Sequence, residues 1–432
     1  MKRLIFTLFL SFTATAAFAA GHSAGTAADK TETAAPAVSD STASGIDFAD
    51  ELSILSDSLH ILIGRWQQTQ PRWIVEEGDI DGDIPANTPD SVFLQRLNAM
   101  NSFIPLSYNN IVRNFLALYS SRRSKSIGEI LGRCNYYMPI FEETFNRYDL
   151  PEELKAMAII ESALNPTATS FAGAKGMWQF MYSTGKKYGL HIDSFVDERL
   201  DVYKSADAAA RYLKDAYDVF GDWPLAISSY NCGAGNVQKA IRRSGKRDFW
   251  EIYNFLPRET RGYFPAFIGA LYITKYYKEH GIVPSCEGQI GPIDTIHVHK
   301  MLHFTQVEKA AGIPAKTLRD LNPQYRHDIV PGAERVYVLR VPYRYVNQFI
   351  DHESEIYAWK ADSLFNPVTL KKLKDGMDGE RIIYKVRSGD VLGKIAIRHH
   401  CTVAQIKRWN GLKSNNIRVG QKLIIYRGGK KS

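Results

Sequence analysis

The sequence predicts an α+β protein in which a long, mostly helical region is followed by two small units of strand, helix, helix and strand. Three observations carry this. Apolar residues recur at helical spacing from Ile46 to about residue 281, short β-branched runs such as Ile293–Val298 and Val336–Val341 take over after Pro284, and a second strand-helix-helix-strand layout fills Ile382–Tyr426. At 432 residues with 45% apolar content, the chain can bury two or three separate cores.

The first segment, residues 1–19, has the layout of an export signal: Lys2 and Arg3, an apolar stretch Leu4–Phe12, then Ala17-Phe18-Ala19 as a small-residue cleavage pattern. Thr13 and Thr15 interrupt that stretch, so it is shorter than a membrane-spanning helix requires. Residues 20–45 are small and polar without apolar period, which predicts a disordered linker. The four cysteines, Cys134, Cys232, Cys286 and Cys401, show neither CxxC pairs nor metal-ligand spacing, so no metal site is expected and buried free thiols are. None lies near the cleavage pattern, which argues against a lipid anchor. The formal charge of +8 becomes +6 once Lys2 and Arg3 are removed, a modest basic balance that favours acidic surfaces; nucleic acid is a poor partner for an exported chain.

Residues 46–129 form the expected helical extension, with Leu52, Leu55, Leu59 and Leu62, then Ile111, Phe115, Leu118 and Tyr119, at helical steps. A second helical domain is expected over 130–283, with Gly-rich breaks at Ala172–Gly176 and Cys232–Gly235. Inside it, Pro151 suits the first turn of a helix, Glu152 and Glu153 complement its positive end, and Pro166 is the expected stop. On that helix Leu154, Met157 and Ala158 share a face with Glu161, so this carboxylate projects from apolar surroundings. Desolvation raises the pKa of such a group and suits it to donate a proton near neutral pH. A lone glutamate on a mixed face is more often a buried carboxylate satisfied by arginine or backbone donors; the neighbouring motifs change that balance.

Three blocks follow in order: Ile160-Glu161-Ser162-Ala163, Gly176-Met177-Trp178-Gln179-Phe180-Met181 and Ser229-Tyr230-Asn231-Cys232-Gly233-Ala234-Gly235. Together they resemble the family-one lytic transglycosylases, whose fold is the goose-type lysozyme-like one. Leu256-Pro257-Arg258-Glu259-Thr260 with Tyr263 and Pro265 is similar to the membrane-bound lytic murein transglycosylase D-type branch. The resemblance covers roughly residues 130–280. It implies Glu161 as the catalytic glutamate, with Ser162 supporting the helix end. It also implies Ser170, Gln179, Met181, Tyr230, Asn231, Glu259 and Tyr263 along the substrate groove, where amides and hydroxyls meet sugar polar groups and aromatic faces stack on pyranose rings. Trp178 is expected to pack, and Tyr230 has a plain alternative as a core tyrosine. Cys232 stands where relatives carry alanine or serine.

Ordinary glycosidases pair two carboxylates. One suffices if the substrate brings its own nucleophile: the resemblance implies that Glu161 protonates the oxygen leaving the bond between N-acetylmuramic acid and N-acetylglucosamine. It then takes the proton of the muramoyl C6 hydroxyl, giving a 1,6-anhydro end without water and without a cofactor. A goose-type lysozyme-like hydrolase, with Glu259 or Asp222 as a second carboxylate, and a non-catalytic peptidoglycan-binding protein are the alternatives.

The segment Tyr384-Lys385-Val386-Arg387-Ser388-Gly389-Asp390-Val391-Leu392, with Trp409-Asn410-Gly411-Leu412 and Ile417-Arg418-Val419-Gly420, resembles a LysM domain over 382–427. The resemblance implies a shallow groove for N-acetylglucosamine-containing glycans, with Gly389, Asp390, Val391 and Leu392 on one side and Asn416, Ile417 and Arg418 on the other. Residues 294–342 resemble a degenerate LysM without the Ser-Gly-Asp entry turn, and 343–381 read as a flexible connector. The expected partner is the peptidoglycan glycan strand, with association to the cell envelope in reserve, and the expected state is an exported monomer of the periplasm or envelope.

Overall fold

The helix α11, Tyr263–Tyr276, is apolar on every face and is buried from Tyr263 to Ile273, so it forms the centre of the first core. The computed structural model describes residues 88–121, 124–170, 172–285, 291–374, 379–399 and 401–428. The expected export signal, linker and the leucines at 52–62 lie outside them. Around α11 pack α1 (Asp90–Asn98), α2 (Asn110–Ser121), α3 (Ser124–Asn146) and the short α4 (Met157–Ser162), with α5 (Tyr182–Lys187) next in the chain. The shell is completed by α6 (Val202–Phe220), α7 (Trp223–Cys232), α8 (Ala234–Ser244), α9 (Phe249–Ile252) and α10 (Arg258–Arg261). Phe115, Leu118 and Tyr119 of α2 are buried as their spacing predicts. At the α2–α11 crossing a Cβ on Gly269 would lie 2.8 Å from the Tyr119 ring, so the two backbones approach as closely as they do only because this residue is glycine.

The next unit begins with β1 (Ile293–Val298), which pairs antiparallel with β4 (Tyr337–Pro342) in the register Ile296 opposite Leu339. Between them lie α12 (Phe304–Ala311) and α13 (Ala315–Leu321), and β2 (Met301–His303) pairs with β3 (Ile329–Pro331) in a second short ladder. The last unit repeats the plan: β5 (Gly379–Lys385) pairs with β6 (Lys422–Gly428), Tyr384 opposite Leu423, around two helices, Leu392–Arg398 and Val403–Asn410.

A shared internal bond shows that the two units are copies of one module. Asn322 donates to the Leu318 and Arg340 carbonyls and accepts from the Arg340 N–H at 2.8 Å. Asn410 donates to the Ile406 and Ile424 carbonyls and accepts from the Ile424 N–H at 2.7 Å. In both, one asparagine amide, buried at Asn322 and half-buried at Asn410, ties the second helix to the last strand.

The stretch after residue 342, expected as a flexible connector, is instead helical over Val346–Asp351, Glu353–Ala358, Ala361–Leu364 and Pro367–Lys374. Phe349 and Ile356 enter the core of the first module, and the Gln306 side chain donates to the Trp359 carbonyl at 3.0 Å. Asp351, Glu353, Glu355 and Asp362, which help to make this segment read as polar, are exposed on these helices. Among the described residues no helix is long and apolar enough to cross a membrane.

Candidate active site

Glu161 stands at the C-terminal end of a helix shorter than its sequence suggests. Glu152–Ala156 is a 3₁₀ turn, α4 begins only at Met157, and it ends at Ser162 rather than running to Pro166. The stop is made by Ala163 and Leu164, both left-handed at φ 53° and 58°. Two consecutive non-glycine residues in that region store of order 1–3 kcal/mol each, and such strain concentrates at working sites. Burial of both side chains holds them there, and Arg133 donates to the Ala163 carbonyl at 2.7 Å. Ser162 is buried and donates to the carbonyls of Ala158 and, at 2.9 Å, Met177, which ties the helix to the loop of the second motif.

The Glu161 carboxyl is half-buried among aromatic rings. Tyr263, from the start of α11, donates its hydroxyl to Glu161 Oε1 at 2.5 Å, while Oε2 has no protein partner among the described residues. Desolvation pushes the Glu161 pKa up to about 7 from 4.5, against the opposing pull of the Tyr263 hydrogen bond. No second carboxylate acts on it among the described residues. Burial and the Glu161 charge raise the phenols of Tyr263 and Tyr230 well above their ordinary value, so both remain donors. Tyr230 donates to the Trp178 carbonyl at 2.8 Å, and its ring meets Tyr212 and Phe180 edge-on at 4.8 and 6.1 Å.

The other expected groove residues divide by what they already bind. Gln179, left-handed at φ 45°, donates to the Gly176 carbonyl at 2.7 Å and so braces its own turn. Ser170 accepts from the Ala174 N–H at 3.0 Å, closing the turn before it. Met181 caps α5 and is half-buried. Asn231 is exposed, with its Oδ1 accepting from Thr260 at 2.8 Å. Glu259 is exposed on α10. Asp222 caps the opposite end of α7, accepting from the Leu225 N–H, about 12 Å of helix away from Tyr230. Tyr212 and Arg133 escaped sequence reasoning because each lies on an ordinary helical face, with nothing local to mark it.

In the last module Gly389 (φ 82°), Asn416 and Arg418 are exposed, Val391 is half-exposed and Ile417 is half-buried. Asp390 accepts from Tyr384 at 2.6 Å and from the Arg387 N–H at 2.8 Å, which shapes the turn. Leu392 is a correction: its side chain is 2% exposed inside the module core, so it faces away from any groove. Cys134, Cys232 and Cys401 are free thiols, and Cys286 lies outside the described residues.

Three stretches of the chain match known protein-family models. Residues 138–253 match the transglycosylase SLT domain, 292–358 the LysM-like domain of lytic transglycosylase MltD, and 384–425 the LysM domain. The chain is 29% identical over 369 residues to membrane-bound lytic murein transglycosylase D of Escherichia coli K12, covering 83% of this chain and 76% of that one. It is 35% identical over 114 residues to membrane-bound lytic murein transglycosylase F of Shewanella frigidimarina, 24% of this chain and 22% of that one. A solved structure of the 70 kDa soluble lytic transglycosylase with bulgecin A overlaps 56% of this chain and 47% of that one, at 18% identity and a TM-score of 0.31.

Proposed function

From the premise that this chain belongs to the lytic transglycosylases that join an SLT domain to LysM modules, we propose that Glu161 is the single acid and base of its reaction. The enzyme cleaves the β-1,4 bond between N-acetylmuramic acid and N-acetylglucosamine in peptidoglycan and leaves 1,6-anhydro-N-acetylmuramoyl ends. The observation that supports Glu161 is a carboxyl with Oε1 engaged by Tyr263 and Oε2 open, in surroundings whose burial pushes its pKa up to about 7. The proton for the leaving oxygen sits on Oε2. After departure, the carboxylate takes the proton of the muramoyl C6 hydroxyl, whose oxygen closes on the anomeric carbon. A nucleophilic carboxylate 5–5.5 Å away, as in retaining glycosidases, would act strongly on the Glu161 titration. Among the described residues none does: Glu259 is exposed and Asp222 caps the far end of α7.

Tyr230, Asn231, Gln179, Met181 and Ser170 are proposed to line the sugar sites, Tyr230 as an aromatic wall and Asn231 through its amide Nδ2. Glu259 has a supporting place at the rim. We place the enzyme outside the cytoplasm, in the periplasm or cell envelope, exported by its first nineteen residues and acting as a monomer.

Two tests follow from this geometry. Since the Tyr263 hydrogen bond lowers the Glu161 pKa, Tyr263→Phe raises it above about 7. The acid form starts the reaction, so the alkaline limb of the pH–rate profile on soluble glycan fragments moves upward, and the maximal rate falls several-fold as the carboxyl loses its orientation. A limb that stays in place would remove the phenol from the mechanism. Deleting the last module after residue 374 should weaken binding to purified sacculi by about 10- to 100-fold while leaving turnover of short soluble fragments within twofold, because tethering raises local substrate concentration and does not alter the chemistry. Pull-down with sacculi and fragment kinetics separate the two effects.

A further inference from the structure

The first LysM-like module is docked on the catalytic domain by side chains that also hold the groove loop. The catalytic-domain segment 191–201 inserts Phe195 and Val196 into the module core. Its backbone joins the module as well, Asp197 N–H to the Gln324 carbonyl at 2.9 Å and Arg326 N–H to the Phe195 carbonyl at 2.7 Å. Next to these bonds Asp197 is fully buried. Its carboxylate receives two hydrogen bonds from Arg199, each 2.8 Å, and one from Arg326 Nη2 of the module at 2.8 Å, with Lys175 Nζ at 3.4 Å.

Arg199 and Lys175 belong to the groove loop as much as to this ion cluster. Arg199 Nη1 donates to the carbonyls of Gly173 and Phe180, at 3.2 and 3.3 Å. Lys175 exchanges both backbone hydrogen bonds with Phe180 at 3.1 Å. A Cβ on Gly176, at φ 81°, would lie 1.8 Å from the Arg199 carbonyl oxygen, so the loop sits directly on the Arg199 backbone. An unbroken chain of charge-assisted bonds therefore runs from Arg326 through Asp197 and Arg199 to the turn that presents Gln179 and Met181.

The module itself differs from its copy in a way that fits a mechanical role. One offset, 88 residues, relates Phe304 to Leu392, Asn322 to Asn410 and Ile329 to Ile417. By that offset Met301–His303 corresponds to Gly389–Val391, and Ile329–Pro331 to Ile417–Val419. In the last module Gly389, Arg418 and Val419 are exposed. In the first, the two segments are zipped into the β2–β3 ladder, with Leu302 and Val330 wholly buried, and a Cβ on Gly332 would lie 2.4 Å from the Lys300 carbonyl oxygen. The surface that the last module leaves open is used up here in internal pairing.

We propose that the first LysM-like module is a positioning element of the catalytic site, with Arg326 as the positioning residue that sets the groove loop 173–180 through Asp197 and Arg199. This rests on the transglycosylase reading given above. Losing Arg326 loosens the cluster without orphaning Asp197, because Arg199 keeps both of its bonds. Arg335, which pairs with Glu198 across the same interface at 3.2 Å, touches no part of the loop and is the control.

The experiment compares the full chain with its Arg326→Gln, Arg326→Lys and Arg335→Gln variants. It measures kcat and KM on soluble glycan fragments, and the amide hydrogen exchange of residues 173–180. The expected result for Arg326→Gln is a roughly tenfold fall in kcat/KM, in line with the sensitivity of rate to small misplacements, together with exchange at 173–180 at least tenfold faster. Arg326→Lys recovers most of both, and Arg335→Gln changes neither. Wild-type exchange and wild-type kinetics in Arg326→Gln would overturn the proposal, as would an equal loss in Arg335→Gln, which would reduce the interface to docking alone. Absence of anhydro products from the wild type would instead sink the reaction reading, and the exchange comparison would still decide the positioning.

Discussion

Glu161→Gln should abolish release of anhydro-muropeptides from purified peptidoglycan, by about 10³-fold or more, since the amide can neither give nor take the proton that each half of the reaction requires. Mass spectrometry of the released fragments is the readout. The wild-type products should end in 1,6-anhydro-muramic acid and be one water lighter than hydrolytic ones. Reducing ends from the wild type would mean a hydrolase, and no release from either would leave a binding protein. The same substitution carries a stability signature of definite sign. Below the ordinary value of 4.5 the carboxyl is protonated in both folded and unfolded chains and costs nothing. As pH rises from 4.5 towards about 7, the unfolded chain ionises first and the folded state loses relative stability; above about 7 the loss is complete. A shift of this size corresponds to about 3 kcal/mol, reduced to about 1–3 kcal/mol by the partial exposure of the group. The glutamine variant should therefore melt a few degrees higher than the wild type at pH 8 and at the same temperature at pH 4. Equal melting at both pH values would mean that Glu161 is not desolvated, and with it the case for a general acid near neutrality would fall.

Trp178→Ala should cost about 3–5 kcal/mol, a large part of the stability of a domain. The indole is 0% exposed and lies 5.0 Å from the Phe141 ring and 5.5 Å from the Phe145 ring, ring centre to ring centre. These residues on α3 are the floor on which the second motif rests. The damage extends to the site, because the Trp178 carbonyl accepts the Tyr230 hydroxyl, and a collapse of the backbone there releases the aromatic wall beside Glu161. Trp178→Phe keeps an aromatic ring in the slot and should lose less than half as much. Urea denaturation of the two variants checks this order. A Trp178→Ala protein that unfolds with the wild type would mean that the motif tryptophan is not part of the core.

The glutamate, its motif neighbours and both modules are legible in the sequence because they are carried by local pattern. Glu161 falls at helical steps from Met157 and Ala158, and the module copies keep strand, helix and turn residues in one order. The connector misled because net polarity reports solvent contact along a segment and not whether one of its faces is covered; Phe349 and Ile356 are the few apolar positions that decided it. The helix end misled for a related reason. Pro166 is a strong local stop, but burial of Ala163 and Leu164 and the Arg133 bond to Ala163 end the helix sooner, at backbone angles no local preference would choose. By itself the sequence singled out the candidate residues for the chemistry and the modules that accompany them, since these depend on residue type and short-range spacing. Only the tertiary structure decided what bonds them: Tyr263 reaches Glu161 from 102 residues away and Arg326 reaches Asp197 from 129, and contacts between such distant side chains leave no period in the chain that could announce them.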